Sequence, residues 1–302
     1  MERGARQNTS RVLVAVVALL CTGLIASCGT PQTAPQPGDT VAGVSVDPQL
    51  AARVPQSIKA DGMLTFATDP SYEPMEFLQD GVFRGVDMDI ARAVSETLGL
   101  SVQFKEQAFS TIAPAVAVGS YEAGISSMWA DDVDARLVNM VTYLNAGNAL
   151  AVRTSLAKQI TGNFGLCGHS VATEEGTQYI DKLVALSKSC QATGRQPINI
   201  KAFELQSAAT DAVQEARADA MVADSPVVTW AVATSEGQVV VSGKPKNIRP
   251  YGICVSTTIA GWPQLMQSAV QRIIDTGVYA KILAKWDASA GAIPTSQIIA
   301  PH

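Results

Sequence analysis

The chain has 302 residues, 47% hydrophobic and 16% charged, with a formal net charge of −5. That is enough apolar material for one or two globular domains with sizeable cores. The acidic balance leaves no electrostatic footprint for nucleic acid. Arg3, Arg6 and Arg11 against Glu2 put +2 on residues 1–27, so everything after them carries −7.

Residues 1–27 read as an export signal, with those arginines ahead of an apolar stretch at 12–24 that is too short to span a bilayer comfortably. The stretch closes on Ile25-Ala26-Ser27-Cys28, which resembles a bacterial lipobox. The resemblance implies lipid on Cys28 and a domain held at the outer, extracytoplasmic face of the cytoplasmic membrane. Residues 28–58 are rich in Pro, Gln, Thr and Gly and are expected to form a disordered tether.

The apolar run at 63–67 is short and unbroken by polar residues, the pattern of a parallel strand covered on both faces. A turn-rich loop follows, Asp69-Pro70-Ser71-Tyr72-Glu73-Pro74. Asp87 can cap a helix with apolar residues at Ile90, Val94 and Leu98 and a stop at Gly99, and residues 102–104 complete a βαβ unit. Ligands in open α/β sheets sit beyond the carboxyl ends of strands, where the loop at 69–75 lies. Phe109 then heads a helical pattern through Ile112, Val116 and Val118, stopped by Gly119, and residues 122–128 read as a strand. A second βα set fills 154–246, a strand returns at 251–255, one or two helices occupy 261–286, and 289–302 is expected to be a mobile tail. Periodicity alone gives an α/β class.

The strand end Thr68-Asp69, then Ser71-Tyr72-x-Pro74-x-Glu76-Phe77, then Gly85-x-Asp87-x-Asp89-Ile90-Ala91, resembles family 3 solute-binding proteins. These are extracytoplasmic receptors of polar amino-acid ABC importers, and weaker motifs extend the resemblance over residues 61–286. It implies a two-lobed periplasmic-binding-protein-like α/β fold, with a ligand cleft between two domains joined by two crossover strands. Lobe 1 would be residues 59–152 plus 247–288 and lobe 2 residues 153–246, with hinges near Arg153 and Lys246. A monomer that binds a small solute, docks on an ABC permease and needs no cofactor or metal is expected.

Outside the signal lie Cys167, Cys190 and Cys254. Disulfides persist outside the cytosol. Cys167 and Cys190 flank the β–α unit at 171–189 and are expected to pair, leaving Cys254 as a buried thiol.

Tyr72 and Phe109 occupy slots that in the family sandwich a ligand side chain, and an aromatic face suits a flat or cationic group. Asp224 matches the family's acceptor for a ligand ammonium, although the same residue suits a helix N-cap before Ser225-Pro226. Gly176-Thr177 matches the helix start that holds a ligand carboxylate, with a simple cap as the alternative for Thr177. After the strand-end Ser127 the chain departs from the family: the hydroxyl slot holds Trp129, and the slot of the carboxylate-binding Arg holds Asp134. Either Arg136 takes over that Arg's part, or the site is built for cations by Asp69, Glu73, Asp134, Glu175 and Asp224 beside the aromatics. The second reading points to a basic amino acid, an amine or a quaternary ammonium compound.

Enzyme motifs are absent: two His occur, and there is no HExxH, no zinc-type CxxC pair, no GxSxG elbow and no Walker loop. An exported dehydratase on the same fold, with Glu175 or Asp134 as general acid, and a ligand-sensing lipoprotein are the two rival readings.

Overall fold

A computed structural model of the chain describes residues 41–131 and 137–301. The opening βαβ unit forms as its pattern predicts. Strand β1 (Met63–Thr68) pairs in parallel with β5 (Ser101–Glu106), and α3 (Val86–Thr97) runs between them. Two short helices, α1 (Pro48–Ala52) and α2 (Gln56–Lys59), precede β1. They correct the expectation of a tether reaching residue 58. Asp47 caps α1 and pairs with Arg272 at 3.2 Å, while Val54 and Ile58 are buried, so the chain is committed to the core from residue 41 onwards.

A small antiparallel sheet not foreseen from the sequence separates β1 from α3: β2 (Ser71–Tyr72), β3 (Glu76–Gln79) and β4 (Val82–Arg84). Its β3–β4 turn is an Asp80-Gly81 pair, both at positive φ, a hairpin signal present in the sequence. Gly85 starts α3 at φ 123°, and a β-carbon there would lie 2.1 Å from the Met75 carbonyl oxygen, so only glycine fits. Asp87 is therefore no cap. It sits one residue inside the helix, fully buried.

Next come α4 (Phe109–Ala117), with Ile112 and Val116 buried, and β6 (Ala123–Gly124), far shorter than the strand expected at 122–128. Ser127 ends that run early. Its φ of 49° turns the chain out of the sheet. The fifteen-residue β7 (Asn139–Arg153) then crosses the molecule. Beyond it lie β8 (Ser170–Glu174), α5 (Gln178–Ala192), β9 (Asn199–Phe203), α6 (Gln206–Gln214), β10 (Ala220–Asp224), α7 (Ser225–Thr234) and β11 (Val239–Val241). The chain returns through β12 (Lys246–Val255), α8 (Trp262–Asp275) and α9 (Val278–Lys285).

Among the described residues the main sheet has the order β5-β1-β6-β12-β7-β10-β8-β9, with β11 also on β7. Three parallel strands lie at each end, and the antiparallel pair β12–β7 joins the two sets. The fold is thus mixed α/β, with two parallel half-sheets bridged by two long strands.

The predicted tail is pinned rather than mobile. β13 (Ile298–Ile299) pairs with β7, Ser296 is buried, and its hydroxyl donates to the Thr142 carbonyl at 2.7 Å. The predicted Cys167–Cys190 disulfide is present, with Cα atoms 5.7 Å apart, and Cys254 is buried outside any disulfide. Cys28 lies outside the described residues.

Candidate functional site

The strands of both half-sheets end on one cavity of about 280 Å³, close to the small end of the ~300–1,000 Å³ usual for ligand sites. Of the residues singled out in the sequence, Tyr72, Phe109, Ser127, Trp129, Gly176, Thr177 and Asp224 line it. Asp69 does not; it is buried behind the wall, where its carboxylate accepts the Phe109 backbone N–H at 3.0 Å and so positions that ring. Glu73 is exposed and accepts from the Trp230 indole at 3.1 Å. Glu175 is exposed and outside the lining. Asp134 and Arg136 lie outside the described residues.

Sequence reasoning missed Glu174, Tyr179, Asp181, Ser110, Ser126, Met128 and Gln178, which also line the cavity. The strand period could have found the first. Side chains alternate along β8, and the buried strand-end Glu174, not its neighbour Glu175, faces the cavity.

Asp224 is the most elaborately held group. It occupies the N-cap position of α7 but caps nothing. Its carboxylate instead accepts hydroxyls from Tyr179 and, at 2.5 Å, from Tyr251, while its backbone N–H donates to the Tyr72 hydroxyl at 3.3 Å. Burial pushes its pKa up to about 6, against the pull of the tyrosine hydroxyls and of the Arg249 charge. Glu174 is 2% exposed, and its carboxylate has no hydrogen-bond partner among the described residues. Burial, and then the charges of Asp69 and Asp224, lift it well above the usual carboxylate range.

The floor rests on a buried acid pair. Glu76 accepts from the hydroxyls of Ser126 at 2.9 Å and Ser127 at 3.2 Å; Asp87 accepts the Ser127 N–H at 2.8 Å and the Tyr143 hydroxyl at 2.7 Å. Burial and the Asp87 charge raise Glu76 furthest, so Glu76 holds a proton against Asp87. This network fixes Ser126 and Ser127 at the cavity edge and accounts for the left-handed turn at Ser127.

Trp129 packs on Tyr251, ring centroids 4.8 Å apart, and the Arg249 guanidinium lies 4.6 Å from its ring centroid. Arg249 is itself paired with Asp131 at 2.8 Å. Opposite, Gly176 (φ 74°) lets α5 approach so closely that an added β-carbon would stand 3.1 Å from Ser110. Thr177 precedes α5 without capping it; its hydroxyl donates to the Glu174 carbonyl at 2.8 Å. The first-turn amides of α5 are thus left without a side-chain cap at the cavity. Among the described lining residues there is no Lys, Arg or His, whereas Glu174, Asp181 and Asp224 are acidic.

A ligand-sized cavity closed by loops from both halves of a bridged α/β sheet defines a two-lobed small-molecule binding protein. The chain belongs to the bacterial extracellular solute-binding proteins, family 3, matching that family over residues 64–289. It is similar to an arginine-binding protein, ArgT, of Corynebacterium glutamicum, 32% identical over 95% of each chain. It also resembles a glutamine-binding protein of an ABC transporter, GlnH, of Bacillus subtilis, 23% identical over 90% of this chain and 95% of that one. Among solved structures, an ancestral arginine-binding protein bound to arginine superposes with a TM-score of 0.66 at 27% identity, covering 74% of this chain and 98% of that one. An ancestral amino acid-binding protein described as a precursor of cyclohexadienyl dehydratase does so at 0.68 and 25%, covering 76% and 98%. No helix among the described residues is long and apolar enough to cross a membrane.

Proposed function

We propose that the chain is the solute receptor of an ABC importer and that it captures a basic amino acid. One observation carries this: every charged side chain among the described lining residues is a carboxylate, and the opposite wall is aromatic. Three carboxylates around an anion would repel it, whereas a cation between them and the faces of Tyr72 and Trp129 is attracted by both. Asp224 takes the α-ammonium, and the uncapped start of α5 at Gly176 and Thr177 takes the α-carboxylate. The arginine-binding relative and the arginine-bound ancestral structure support the same reading.

The two lobes, residues 59–152 with 247–288 and residues 153–246, hinge on β7 and β12 and close on the ligand. The receptor works as a monomer, anchored through lipid on Cys28 and delivering its ligand unchanged to a permease. Thermal shift of the purified full chain tests the class. Arginine, lysine, agmatine, cadaverine, betaine, choline, glutamate and glutamine form the panel. A ligand at about 100 times its dissociation constant stabilises by about 2.7 kcal/mol. Arginine or lysine is expected to act and glutamate to have no effect; a response to glutamate alone overturns the reading.

A further inference from the structure

Five buried carboxylates stand in or under the cavity, and four of them are already employed. Asp69 holds the Phe109 amide, Glu76 the two serine hydroxyls, Asp87 the Ser127 amide and the Tyr143 hydroxyl, and Asp224 the hydroxyls of Tyr179 and Tyr251. Glu174 is the exception. It ends β8 at 2% exposure, its carboxylate reaches the cavity wall, and no described residue donates a hydrogen bond to it. The ionisable groups that act on it, Asp69 and Asp224, are both acidic.

Enclosed on every side but the cavity, Glu174 is costly to ionise until an opposite charge meets it there. Such a group inside a ligand cavity is explained if its partner arrives with the ligand. Asp224, on the neighbouring strand β10, suits a single ammonium beside its two tyrosine donors. Glu174 therefore offers a second, separate negative pole in the same space.

We infer that Glu174 is the specificity-determining residue for a second cationic group at the far end of the ligand, so that the cavity selects dibasic amino acids over neutral ones of the same length. The inference rests on the basic-amino-acid reading above and assigns its side-chain end. A guanidinium or ε-ammonium meets Glu174 in a charge-assisted hydrogen bond, with Tyr72 or Trp129 covering its face. A neutral end group leaves the carboxyl buried and unmatched, and is rejected for that reason.

Isothermal titration of the purified full chain with two matched pairs tests this. The pairs are arginine against citrulline and lysine against norleucine; each neutral member keeps the α-amino acid and the approximate length. Wild type is expected to prefer the charged member of each pair by about 100-fold or more. Glu174→Gln keeps the shape and removes the charge. It is expected to weaken arginine and lysine by about 100-fold while citrulline and norleucine stay within a few-fold, so that the preference collapses. Glu174→Asp, which retains the charge, is expected to keep the preference and guards against a Gln variant that fails to fold. An unchanged arginine-to-citrulline ratio in Glu174→Gln, or an equal loss for both members, overturns the assignment while leaving the basic-amino-acid reading intact. A wild type that binds neither arginine nor lysine overturns both, before any substitution is made.

Discussion

Asp224 changes charge close to neutrality, because burial lifts its pKa to about 6. The folded protein therefore holds this proton more tightly than the unfolded chain, whose aspartates titrate near about 3.9. The sign follows: stability from this group is full below about pH 4 and is lost as pH rises through 6, on the order of 3 kcal/mol by pH 7. A bound cation reverses the preference, since it favours the ionised carboxylate. Affinity for arginine or lysine is expected to fall about tenfold between pH 7.5 and 5 from Asp224 alone, with Glu174 adding to the loss. Titration calorimetry at both pH values checks it, and a flat profile would contradict the pairing. The floor is testable in the same way. Glu76→Gln keeps a donor toward Asp87 and an acceptor for Ser126, while Ser127 retains Asp87 as acceptor, and should cost far less melting free energy than Glu76→Ala, which should cost about 3 kcal/mol in urea titration. The family resemblance, with the chemistry of their side chains, brought Asp224, Tyr72 and Phe109 to attention. It could not separate Glu174 from Glu175, because that depends on which face of β8 each occupies.

Elements were legible where local chemistry acts alone. The parallel strand β1, the amphipathic α3 and the disulfide around α5 follow from short-range patterns. The short β6 was not, since the chain leaves the sheet at Ser127, whose backbone N–H is held by Asp87 forty residues away. The pinned carboxyl terminus was also hidden: residues 289–299 look like a tail until β7 supplies them with an edge. Two outcomes follow at this scale. Replacing Cys190 by Ala frees a 23-residue separation and is expected to cost about 3 kcal/mol in denaturant unfolding. The cost acts through the unfolded chain, so ligand affinity should stay within a few-fold. Truncation after Pro294 removes β13 and the bonds from Ser296 and Gln297 to Thr142, and is expected to lower the melting temperature by several degrees.

Across the whole molecule, the two half-sheets meet around the cavity through a few polar contacts. The Ser71 hydroxyl accepts from the Gln206 amide at 3.3 Å, the Tyr72 hydroxyl from the Asp224 amide, and Glu73 from the Trp230 indole. If closure traps the ligand, Trp230→Phe should raise the dissociation rate more than it lowers the association rate, as stopped-flow would show. The topology also bears on how such a chain is made. Strand β6 finds its second neighbour only in β12, and β7 is bordered on one side by β12 and on part of its length by β13. A nascent chain halted at residue 245 would therefore hold the first parallel half-sheet without its closing strand, without α8 and α9, and with the apolar flank of α3 uncovered. Completion of the sheet waits until β12 and β13 have left the ribosome. For a protein of an extracellular family, late closure keeps the polypeptide threadable through a translocation channel until those strands emerge.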